Sequence, residues 1–318
     1  MNISVIGCGR WGTLIAYYLD TLHHTVTLYG RKDSAHFRSL RETRKNEYLT
    51  LPETVIFTAD LKEALKAETV IISIPSQNLR ALSREIQSYK IKNHTFVLCM
   101  KGLEIGTGER LSQVIGSYLG KENRIAVWLG PGHVQEFYRG IPNCMVIDSD
   151  DETVKHELIS AFAGPLIRFY YGNDLIGNEI GAATKNVIGI AAGILDGLGL
   201  TSLKGALMSR GTREVARLIT AMGGNELSAY GLCHLGDYEA TVFSPYSHNR
   251  SFGEAFVKGE TYPELAEGCH TVKAVMEIAR EKQLDLPIAT AVYRILYEKA
   301  EPQKTLRALF DRSLKKEF

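Results

Sequence analysis

The sequence lacks the cysteine pattern of a secreted, disulfide-bonded protein. Its five cysteines are odd in number and form no Cys-x-x-Cys pair, which favours free thiols in a reducing compartment. No pair of His or Cys residues has the spacing of metal ligands on a helix, so no metal is expected. The first residues also lack the basic and apolar regions of a signal peptide. We therefore expect a cytoplasmic protein.

An excess of one charge and a long hydrophobic run are also missing. The 37 basic and 36 acidic residues leave a net charge of +1, too small for a general attraction to nucleic acid or anionic lipid. The apolar run over residues 187–200 is too short to span a bilayer and contains Asp196. Neither a nucleic-acid partner nor a membrane partner is expected. The length of 318 residues suggests about two domains.

A glycine-rich turn follows the first predicted strand, which covers residues 3–6. Gly7, Gly9 and Gly12 form a Gly-x-Gly-x-x-Gly motif, and a predicted helix follows at once. Gly7 allows a tight turn, Gly9 lets the backbone approach a pyrophosphate, and Gly12 lets helix and strand pack closely. The helix N-terminus would then face the phosphates. This context predicts binding of a dinucleotide cofactor.

The residues after the second predicted strand, 25–29, bear on the choice between NAD and NADP. An NAD-selective site carries an Asp or Glu at this point, which binds the ribose 2′-hydroxyl. Here the strand ends in Gly30, Arg31 and Lys32. Two cations suit a 2′-phosphate, so NADP is the preferred cofactor. Asp33 lies close enough to bind the ribose instead, which leaves NAD as the alternative.

The rest of the first half alternates apolar strands with helical segments, as in a doubly wound parallel sheet. Ligands bind at the carboxyl edge of such a sheet. Lys101 and the loop Gly130-Pro131-Gly132 each follow a predicted strand and are expected at that edge. The further strands are predicted at residues 55–57, 69–74, 95–100, 125–129, 144–147 and 167–170.

Strand signals stop near residue 175. Helices are predicted over residues 179–195, 203–222, 262–282, 288–298 and 304–310, and the polar stretch 231–253 is expected to be loop-rich. The predicted fold class is α/β, with a Rossmann-like doubly wound sheet followed by an all-helical domain. We place an NAD(P)-binding Rossmann domain at residues 1–174 and a helical substrate and catalytic domain at residues 175–318.

One predicted helix of the second half carries an unexpected charge near its start. Residues 181–193 are small and apolar on nearly every face, except for Lys185 and Asn186. A buried ammonium costs several kcal/mol unless it is paired or neutralised. Lys185 therefore either lies at a helix edge and extends to water, or points into a polar cleft where it gives and takes protons.

Eight short motifs occur in one order along the chain: Gly7-x-Gly9-x-Trp11-Gly12, Ile74-Pro75-Ser76-Gln77, Lys101-Gly102-Leu103-Glu104, Gly130-Pro131, Lys185-Asn186-Val187, Asp196-Gly197-Leu198-Gly199, Leu235-Gly236-Asp237 and Asn249-Arg250-x-Phe252-Gly253. In this order and spacing the sequence resembles the NAD(P)-dependent glycerol-3-phosphate dehydrogenase family, bacterial type, over nearly the whole chain. The resemblance implies reversible NAD(P)H-dependent reduction of dihydroxyacetone phosphate to sn-glycerol 3-phosphate. It also implies that the product supplies glycerophospholipid synthesis and that the protein is a homodimer.

The resemblance assigns roles to individual residues. The proton donor in ketone reduction would be Lys185, and Lys101 would contact both the substrate and the nicotinamide region. The other catalytic residues implied are Asn186, Asp237 and Thr241. The substrate-binding set is Lys101, Gly130, Gly132, Lys185, Asp237, Ser247, His248 and Asn249. The cofactor-binding set is Gly7, Gly9, Arg10, Trp11, Gly12, Arg31, Lys101, Val134, His248, Leu265 and Glu267.

Two places depart from the family pattern. The family has Arg where this sequence has His248, and Ser or Thr followed by Phe where it has Gly132 and His133, with Val134 in place of Ala. Arg binds phosphate with a charged planar fork, whereas a neutral His offers one donor. The chain is therefore either the same reductase with a drifted site, or a related dehydrogenase for another hydroxy or keto compound. A non-enzymatic NAD(P)-binding sensor is the third hypothesis, and Lys185 argues against it.

Overall fold

The computed structural model describes residues 1–314 and 316–317 of the chain. The chain divides into two compact units, one of Met1–Lys101 with Glu109–Glu179 and one of Gly102–Gly108 with Ile180–Phe318. The sequence placed a single boundary after residue 174 and did not foresee the short segment. Gly102–Gly108 belongs to the second unit because its contacts lie there: Gly106 N–H donates to Glu277 Oε2 at 2.8 Å.

The first unit is built on one sheet, which has eight strands within the described residues. They are β1 Asn2–Ile6, β2 Thr25–Tyr29, β3 Ile56–Thr58, β4 Thr69–Ile72, β5 Thr95–Leu98, β6 Arg124–Leu129, β7 Asn143–Asp148 and β8 Ile167–Tyr171. The strand order is β3-β2-β1-β4-β5-β6-β7-β8. β7 runs antiparallel to β6, and all other neighbours are parallel. The predicted doubly wound sheet is confirmed, although β4 and β5 end two residues earlier than predicted.

Helices lie between the strands and make up most of the second unit. The helices before the last strand are α1 Arg10–Thr21, α2 Ala35–Thr43, α3 Leu61–Ala64, α4 Leu79–Ser88, α5 Leu111–Gly116, α6 Val134–Tyr138 and α7 Glu152–Phe162. Those after it are α8 Leu175–Gly197, α9 Lys204–Ala221, α10 His248–Lys258, α11 Glu267–Glu281, α12 Pro287–Tyr297 and α13 Pro302–Phe310. No helix in residues 1–314 and 316–317 combines the length and apolar character needed to cross a membrane.

The sheet forms the core of the first unit. All residues of β4 and β5 are buried, as expected of parallel strands covered by helices on both faces. Trp128 of β6 is 1% exposed, and its ring centroid lies 5.5 Å from that of Phe162 and 5.0 Å from that of Phe169. This packing holds the strand that leads to the Gly130 loop.

The strand order reverses between β1 and β4. The chain leaves β1 toward β2 and β3, then returns to β4 on the other side of β1. In open α/β sheets such a reversal leaves a crevice at the carboxyl ends of the strands, which is where ligands bind. The glycine turn after β1 and the turn after β4 meet at this point.

The second unit is organised around α8, whose glycines allow close packing. A Cβ on Gly193 would lie 1.9 Å from the Arg250 carbonyl oxygen, and a Cβ on Gly253 would lie 2.2 Å from the Ile190 carbonyl oxygen. α8 and α10 are therefore in backbone contact. Because α8 begins at Leu175, Lys185 lies in its middle and not near its start as predicted.

The prediction of a loop-rich stretch over residues 231–253 was wrong for its last part. Residues 248–258 form α10, whose N-cap Ser247 accepts a hydrogen bond from Arg250 N–H at 3.3 Å. Gly259, at φ +72°, ends the helix in the left-handed conformation. The polar composition of the stretch obscured these two capping signals.

Candidate active site

The glycine turn of the first unit has the geometry of a dinucleotide cradle. Gly7 has φ +110°, and a Cβ there would lie 2.1 Å from the Ser73 carbonyl oxygen. A Cβ on Gly12 would lie 2.0 Å from the Gly7 carbonyl oxygen. A Cβ on Gly9, by contrast, would meet no atom within 4 Å. The turn is therefore tightly packed on its protein side and open at Gly9, so the residues present fit a pyrophosphate at the N-terminus of α1.

The residues beside the cradle are two that begin α1 and one that follows β2. Arg10 Cζ lies 5.6 Å from the centre of the Tyr48 ring, and Trp11 packs edge-on against Phe137 at 5.9 Å. Arg31 is 75% exposed, and its Nε lies 3.9 Å from Asp33 Oδ1. The tip of β2 thus presents an accessible guanidinium, which is the type of group that binds a 2′-phosphate.

Lys101 and the Gly130 loop meet at the carboxyl edge of the sheet. Lys101 Nζ donates to the Gly130 carbonyl oxygen at 2.6 Å. Gly132 has φ +140°, and a Cβ there would lie 2.2 Å from the Phe137 ring. A larger residue is therefore excluded at this position unless the ring moves. Val134 begins α6 and is 2% exposed.

Lys185 is held by two side chains of the segment before α10. Its Nζ lies 2.9 Å from Asp237 Oδ2 and donates to Thr241 Oγ1 at 2.8 Å. The side chains of Lys185 and Asp237 are 11% and 1% exposed. Lys185 is thus a paired, mostly buried ammonium and does not extend to water from a helix edge. An ammonium in this setting can deliver a proton to a substrate oxygen.

A short chain of amide contacts continues from Lys185 toward α10 and α11. Asn249 Nδ2 donates to Asn186 Oδ1 at 3.0 Å, and Asn249 Oδ1 accepts from Gly268 N–H at 2.9 Å. Asn186 is 5% exposed. These bonds assign the orientation of both amides, and they fix the start of α10 relative to α8.

The first turn of α10 brings Ser247, His248 and Asn249 together at a helix N-terminus, which attracts anions. His248 Nδ1 is hydrogen-bonded to Tyr262 Oη at 2.5 Å. Tyr262 was predicted to start a helix, but it lies in the loop before α11. No sequence signal marked it as a partner of His248.

Arg250 serves a different purpose from its neighbours. Its Nη1 lies 2.6 Å from Asp196 Oδ2, and Lys204 Nζ lies 2.6 Å from the same oxygen. Burial raises the pKa of Asp196, but the hydrogen bonds from Lys204 and Arg250 outweigh it and hold that pKa below its ordinary value. This cluster ties α10 to α8 and α9.

Two proposed cofactor residues of the second unit lie where α11 begins. Leu265 is 48% exposed, and Glu267 is the first residue of the helix. Within residues 1–314 and 316–317, no three His, Cys, Asp or Glu side chains are grouped as metal ligands.

Sequence reasoning gave no role to His234, which lies next to the Lys185 site. Its Nδ1 faces the Gly181 carbonyl oxygen at 2.9 Å, and its Nε2 lies 2.7 Å from Tyr238 Oη. Burial lowers the pKa of His234 to about 4, although the Gly181 bond and the Asp237 charge oppose this. The imidazole is therefore neutral at pH 7. A lone His in a polar stretch carries no local sign of burial.

Comparison with known proteins finds one family for both parts of the chain. Residues 2–155 match the family model described as NAD-dependent glycerol-3-phosphate dehydrogenase N-terminus, and residues 174–307 match the model of its C-terminus. The glycerol-3-phosphate dehydrogenase (NAD(P)+) of Streptomyces coelicolor is 38% identical over 332 residues, covering 100% of this chain and 98% of that protein. The same-named protein of Thermoanaerobacter sp. is 36% identical over 330 residues, covering 100% and 99%.

A solved structure agrees over almost the full length. The crystal structure of glycerol-3-phosphate dehydrogenase from Coxiella burnetii superimposes with a TM-score of 0.91 at 28% identity, covering 98% of this chain and 99% of that one. D-mandelate dehydrogenase with NADH shares the fold alone, with a TM-score of 0.64 at 13% identity over 94% of this chain and 98% of that chain. The chain belongs to the NAD-dependent glycerol-3-phosphate dehydrogenase family.

Proposed function

We propose that this chain reduces dihydroxyacetone phosphate to sn-glycerol 3-phosphate with NAD(P)H, and catalyses the reverse oxidation. The observation that carries the proposal is the Lys185 ammonium, held 2.9 Å from Asp237 Oδ2 and 2.8 Å from Thr241 Oγ1. A ketone that accepts hydride becomes an alkoxide, and an alkoxide needs a proton from a nearby donor. Family membership supplies the substrate class.

The buried carboxylate explains why a lysine can serve as the donor. Asp237 is 1% exposed, so its charge keeps the ammonium form of Lys185 stable in a site with little water. Thr241 Oγ1 accepts one Nζ proton, which restricts the direction of the remaining two. When Lys185 has given its proton to the alkoxide, the neutral amine is reprotonated from solvent, to which its side chain is 11% exposed. In the oxidation direction the amine accepts the proton.

The start of α10 is proposed to bind the substrate phosphate. Ser247, His248 and Asn249 lie in or beside its first turn, where backbone N–H groups and the helix dipole favour an anion. Asn249 is anchored to Asn186, the neighbour of Lys185, at 3.0 Å. This link supports placing a phosphorylated substrate along the same stretch of α8.

The glycine cradle is proposed to bind the cofactor, whose nicotinamide supplies the hydride when bound. The open space at Gly9 and the N-terminus of α1 would receive the pyrophosphate. The exposed guanidinium of Arg31 supports a preference for NADP. The remaining cofactor contacts proposed are Gly7, Arg10, Trp11, Gly12, Lys101, Val134, His248, Leu265 and Glu267.

Three residues at the carboxyl edge of the sheet in the first unit are also proposed to bind substrate. Lys101 Nζ is oriented by the Gly130 carbonyl oxygen at 2.6 Å and would add fixed positive charge where negative charge develops. Gly130 and Gly132 would keep this edge free of side chains. The proposed role of Lys101 does not include proton transfer.

A second candidate is a dehydrogenase for a hydroxy or keto compound with a different tail. The observation that favours it is His248, which stands where the family pattern has Arg and whose Nδ1 is occupied by Tyr262 Oη. His248→Arg separates the two candidates. A gain in kcat/KM for dihydroxyacetone phosphate supports the phosphate substrate, whereas a loss favours a substrate with a different tail that binds His248.

The direct test is steady-state oxidation of NADPH and NADH with dihydroxyacetone phosphate between pH 6 and 8. Turnover with the phosphate substrate, and none with unphosphorylated dihydroxyacetone at the same concentration, would support the proposal. Binding of NADPH without turnover of either compound would exclude it. Turnover only with another carbonyl compound would support the second candidate.

We also propose that the enzyme is a cytoplasmic homodimer that supplies glycerophospholipid synthesis. All five cysteines are thiols, which suits a reducing compartment. Sedimentation equilibrium tests the dimer: a mass of one chain at micromolar concentration would contradict it.

A further inference from the structure

Two buried side chains next to Lys185 take no part in the proposed proton transfer. His234 and Tyr238 are each 0% exposed, and they lie on either side of Asp237 in the sequence. Tyr238 Oη lies 2.7 Å from His234 Nε2, and their ring centroids are 4.9 Å apart. We call these two residues the His234–Tyr238 pair.

The side chains of the pair are linked to the helix that carries Lys185. His234 Nδ1 lies 2.9 Å from the Gly181 carbonyl oxygen of α8. A carbonyl only accepts, so Nδ1 carries the proton and Nε2 accepts from the Tyr238 hydroxyl. In an α-helix the carbonyl of residue 181 also accepts the N–H of Lys185. His234 therefore binds the same carbonyl oxygen that fixes the backbone of Lys185.

The backbone of the pair holds both partners of the Lys185 ammonium. Asp237 N–H donates to the His234 carbonyl oxygen at 3.0 Å, and Thr241 N–H donates to the Tyr238 carbonyl oxygen at 3.1 Å. One set of contacts thus connects the helix under Lys185 with the turn that carries Asp237 and Thr241. A Cβ on Gly181 would lie 3.0 Å from His234 Cβ, so the glycine allows this close approach.

We propose that the His234–Tyr238 pair positions Asp237 and Thr241 against Lys185, and so sets the proton-transfer geometry of the site. This inference rests on the proposed function for its effect on turnover. The contacts that carry the proposal run from the pair to Gly181 and to the backbone of Asp237 and Thr241, so its members are positioning residues. Lys185 and Asp237 are the charged groups that act on His234, and Glu214 acts on Tyr238. The neutral state of His234 keeps a second cation away from Lys185.

Three variants separate the parts of the pair. His234→Leu removes both side-chain contacts, His234→Asn keeps a donor near the place of Nδ1, and Tyr238→Phe removes only the hydroxyl. The matched control is Tyr18→Phe, because Tyr18 is another buried tyrosine with a short hydrogen bond. Its hydroxyl donates to the Phe162 carbonyl oxygen at 2.6 Å, in the first unit.

The expected kinetic result is a loss of kcat without a change in KM for NADPH. His234→Leu should lower kcat about tenfold or more, because small displacements of reacting groups have large effects on rate. Tyr238→Phe should lower it about threefold, the effect of losing the short hydrogen bond to His234; the other hydroxyl contact, from Thr212 Oγ1, is long at 3.4 Å. His234→Asn should recover most of the activity, and Tyr18→Phe should match the wild type.

A role limited to folding would not move the pH profile. A carboxylate beside an ammonium favours its protonated form, so a looser Asp237 should shift the high-pH limb of kcat for reduction to lower pH in His234→Leu. Wild-type kcat with an unmoved limb in folded His234→Leu would overturn the proposal, as would His234→Asn being as slow as His234→Leu. If His234→Leu does not fold, an unchanged kcat in Tyr238→Phe overturns it.

A substrate-free measurement distinguishes failure of this proposal from failure of the proposed function. NMR with ¹³C-labelled lysine follows the titration of Lys185, assigned by loss of its signal in Lys185→Met. The proposal predicts that the Lys185 midpoint moves to lower pH in Tyr238→Phe and stays in place in Tyr18→Phe. An unmoved Lys185 midpoint in Tyr238→Phe contradicts the positioning role of the His234–Tyr238 pair, even when the wild type proves inactive with dihydroxyacetone phosphate.

Discussion

Replacing Lys185 with Met separates the structural role of the ion pair from its chemical role. Lys185→Met leaves the Asp237 carboxylate, 1% exposed, without its ammonium 2.9 Å away. Removing one partner of a buried pair costs about 3–5 kcal/mol of the free energy of unfolding. Loss of the general acid lowers kcat by about 10²–10⁴-fold. We therefore expect a large loss of both stability and activity.

A second buried pair in the chain provides the matched control. Lys155 and Asp148 are 4% and 1% exposed, with Nζ and Oδ1 3.8 Å apart, and neither is proposed to bind substrate or cofactor. Lys155→Met should lose stability through the same desolvation while its kcat stays near the wild-type value. Urea unfolding gives the stability of each variant, and NADPH oxidation gives kcat per folded protein.

Adding Asp237→Asn to Lys185→Met completes the test. A neutral amide needs no counter-charge, so the double variant should regain much of the lost stability. It should regain none of the activity, because the proton donor is still missing. The reasoning is refuted if Lys185→Met keeps its kcat within about tenfold, which is below the range for a general acid. Recovered activity in the double variant would refute it equally.

Further predictions concern the glycine turn, Arg31 and the buried groups His234 and Glu214. Gly9→Ala should keep its melting temperature, because the added Cβ meets no protein atom within 4 Å, but it should weaken NADPH binding by filling the cradle. Gly12→Ala should lower the melting temperature, because its Cβ would lie 2.0 Å from a backbone oxygen. Arg31→Gln should raise KM for NADPH more than KM for NADH, measured in parallel assays; an equal change in both would count against a 2′-phosphate contact. Folding lowers the pKa of His234 from 6.5 to about 4, so protonation of this residue favours the unfolded state. In Glu214→Gln, the contribution of His234 to the free energy of unfolding should be full above pH 6.5 and should fall by about 3 kcal/mol as the pH drops to 4, measured by urea unfolding. Burial raises the pKa of Glu214 to about 7, so its contribution to the free energy of unfolding is full below pH 4.5 and is lost as the pH rises to 7. In the wild type this opposite pH dependence should largely cancel the effect of His234.

The glycine turn could be predicted from the sequence because its requirements are local. Gly7 must reach a positive φ and Gly12 must leave room for a carbonyl oxygen, and both needs act within a few residues of the motif. The strands of the parallel sheet could also be predicted, because a strand that is covered on both faces appears in the sequence as a continuous apolar run. The Rossmann-like part of the fold therefore followed from short-range patterns.

The Lys185 site could be predicted only in part. The apolar surroundings of Lys185 in the sequence marked it as unusual, but its partners lie more than fifty residues away, at Asp237 and Thr241. They were assigned through the resemblance to a family and not from any local pattern. Contacts between distant segments depend on tertiary packing, which periodicity does not report.

The polar stretch before α10 was the least predictable part of the chain. Helix α10 was hidden among loop-like residues, and the burial of His234 and Tyr238 had no signature in composition. A polar side chain that is fully satisfied inside a protein looks the same in a sequence as one that faces water. Only the structure shows that His234 bonds to Gly181 and Tyr238.

The most direct test of the central claim is to follow the hydride itself. Dihydroxyacetone phosphate is incubated with NADPH that carries deuterium at the transferable position, and the product is analysed by mass spectrometry and NMR. The account predicts sn-glycerol 3-phosphate with one deuterium on carbon 2, formed about 10²–10⁴-fold more slowly by Lys185→Met at equal cofactor occupancy. Consumption of the cofactor without deuterium on carbon 2 would contradict it.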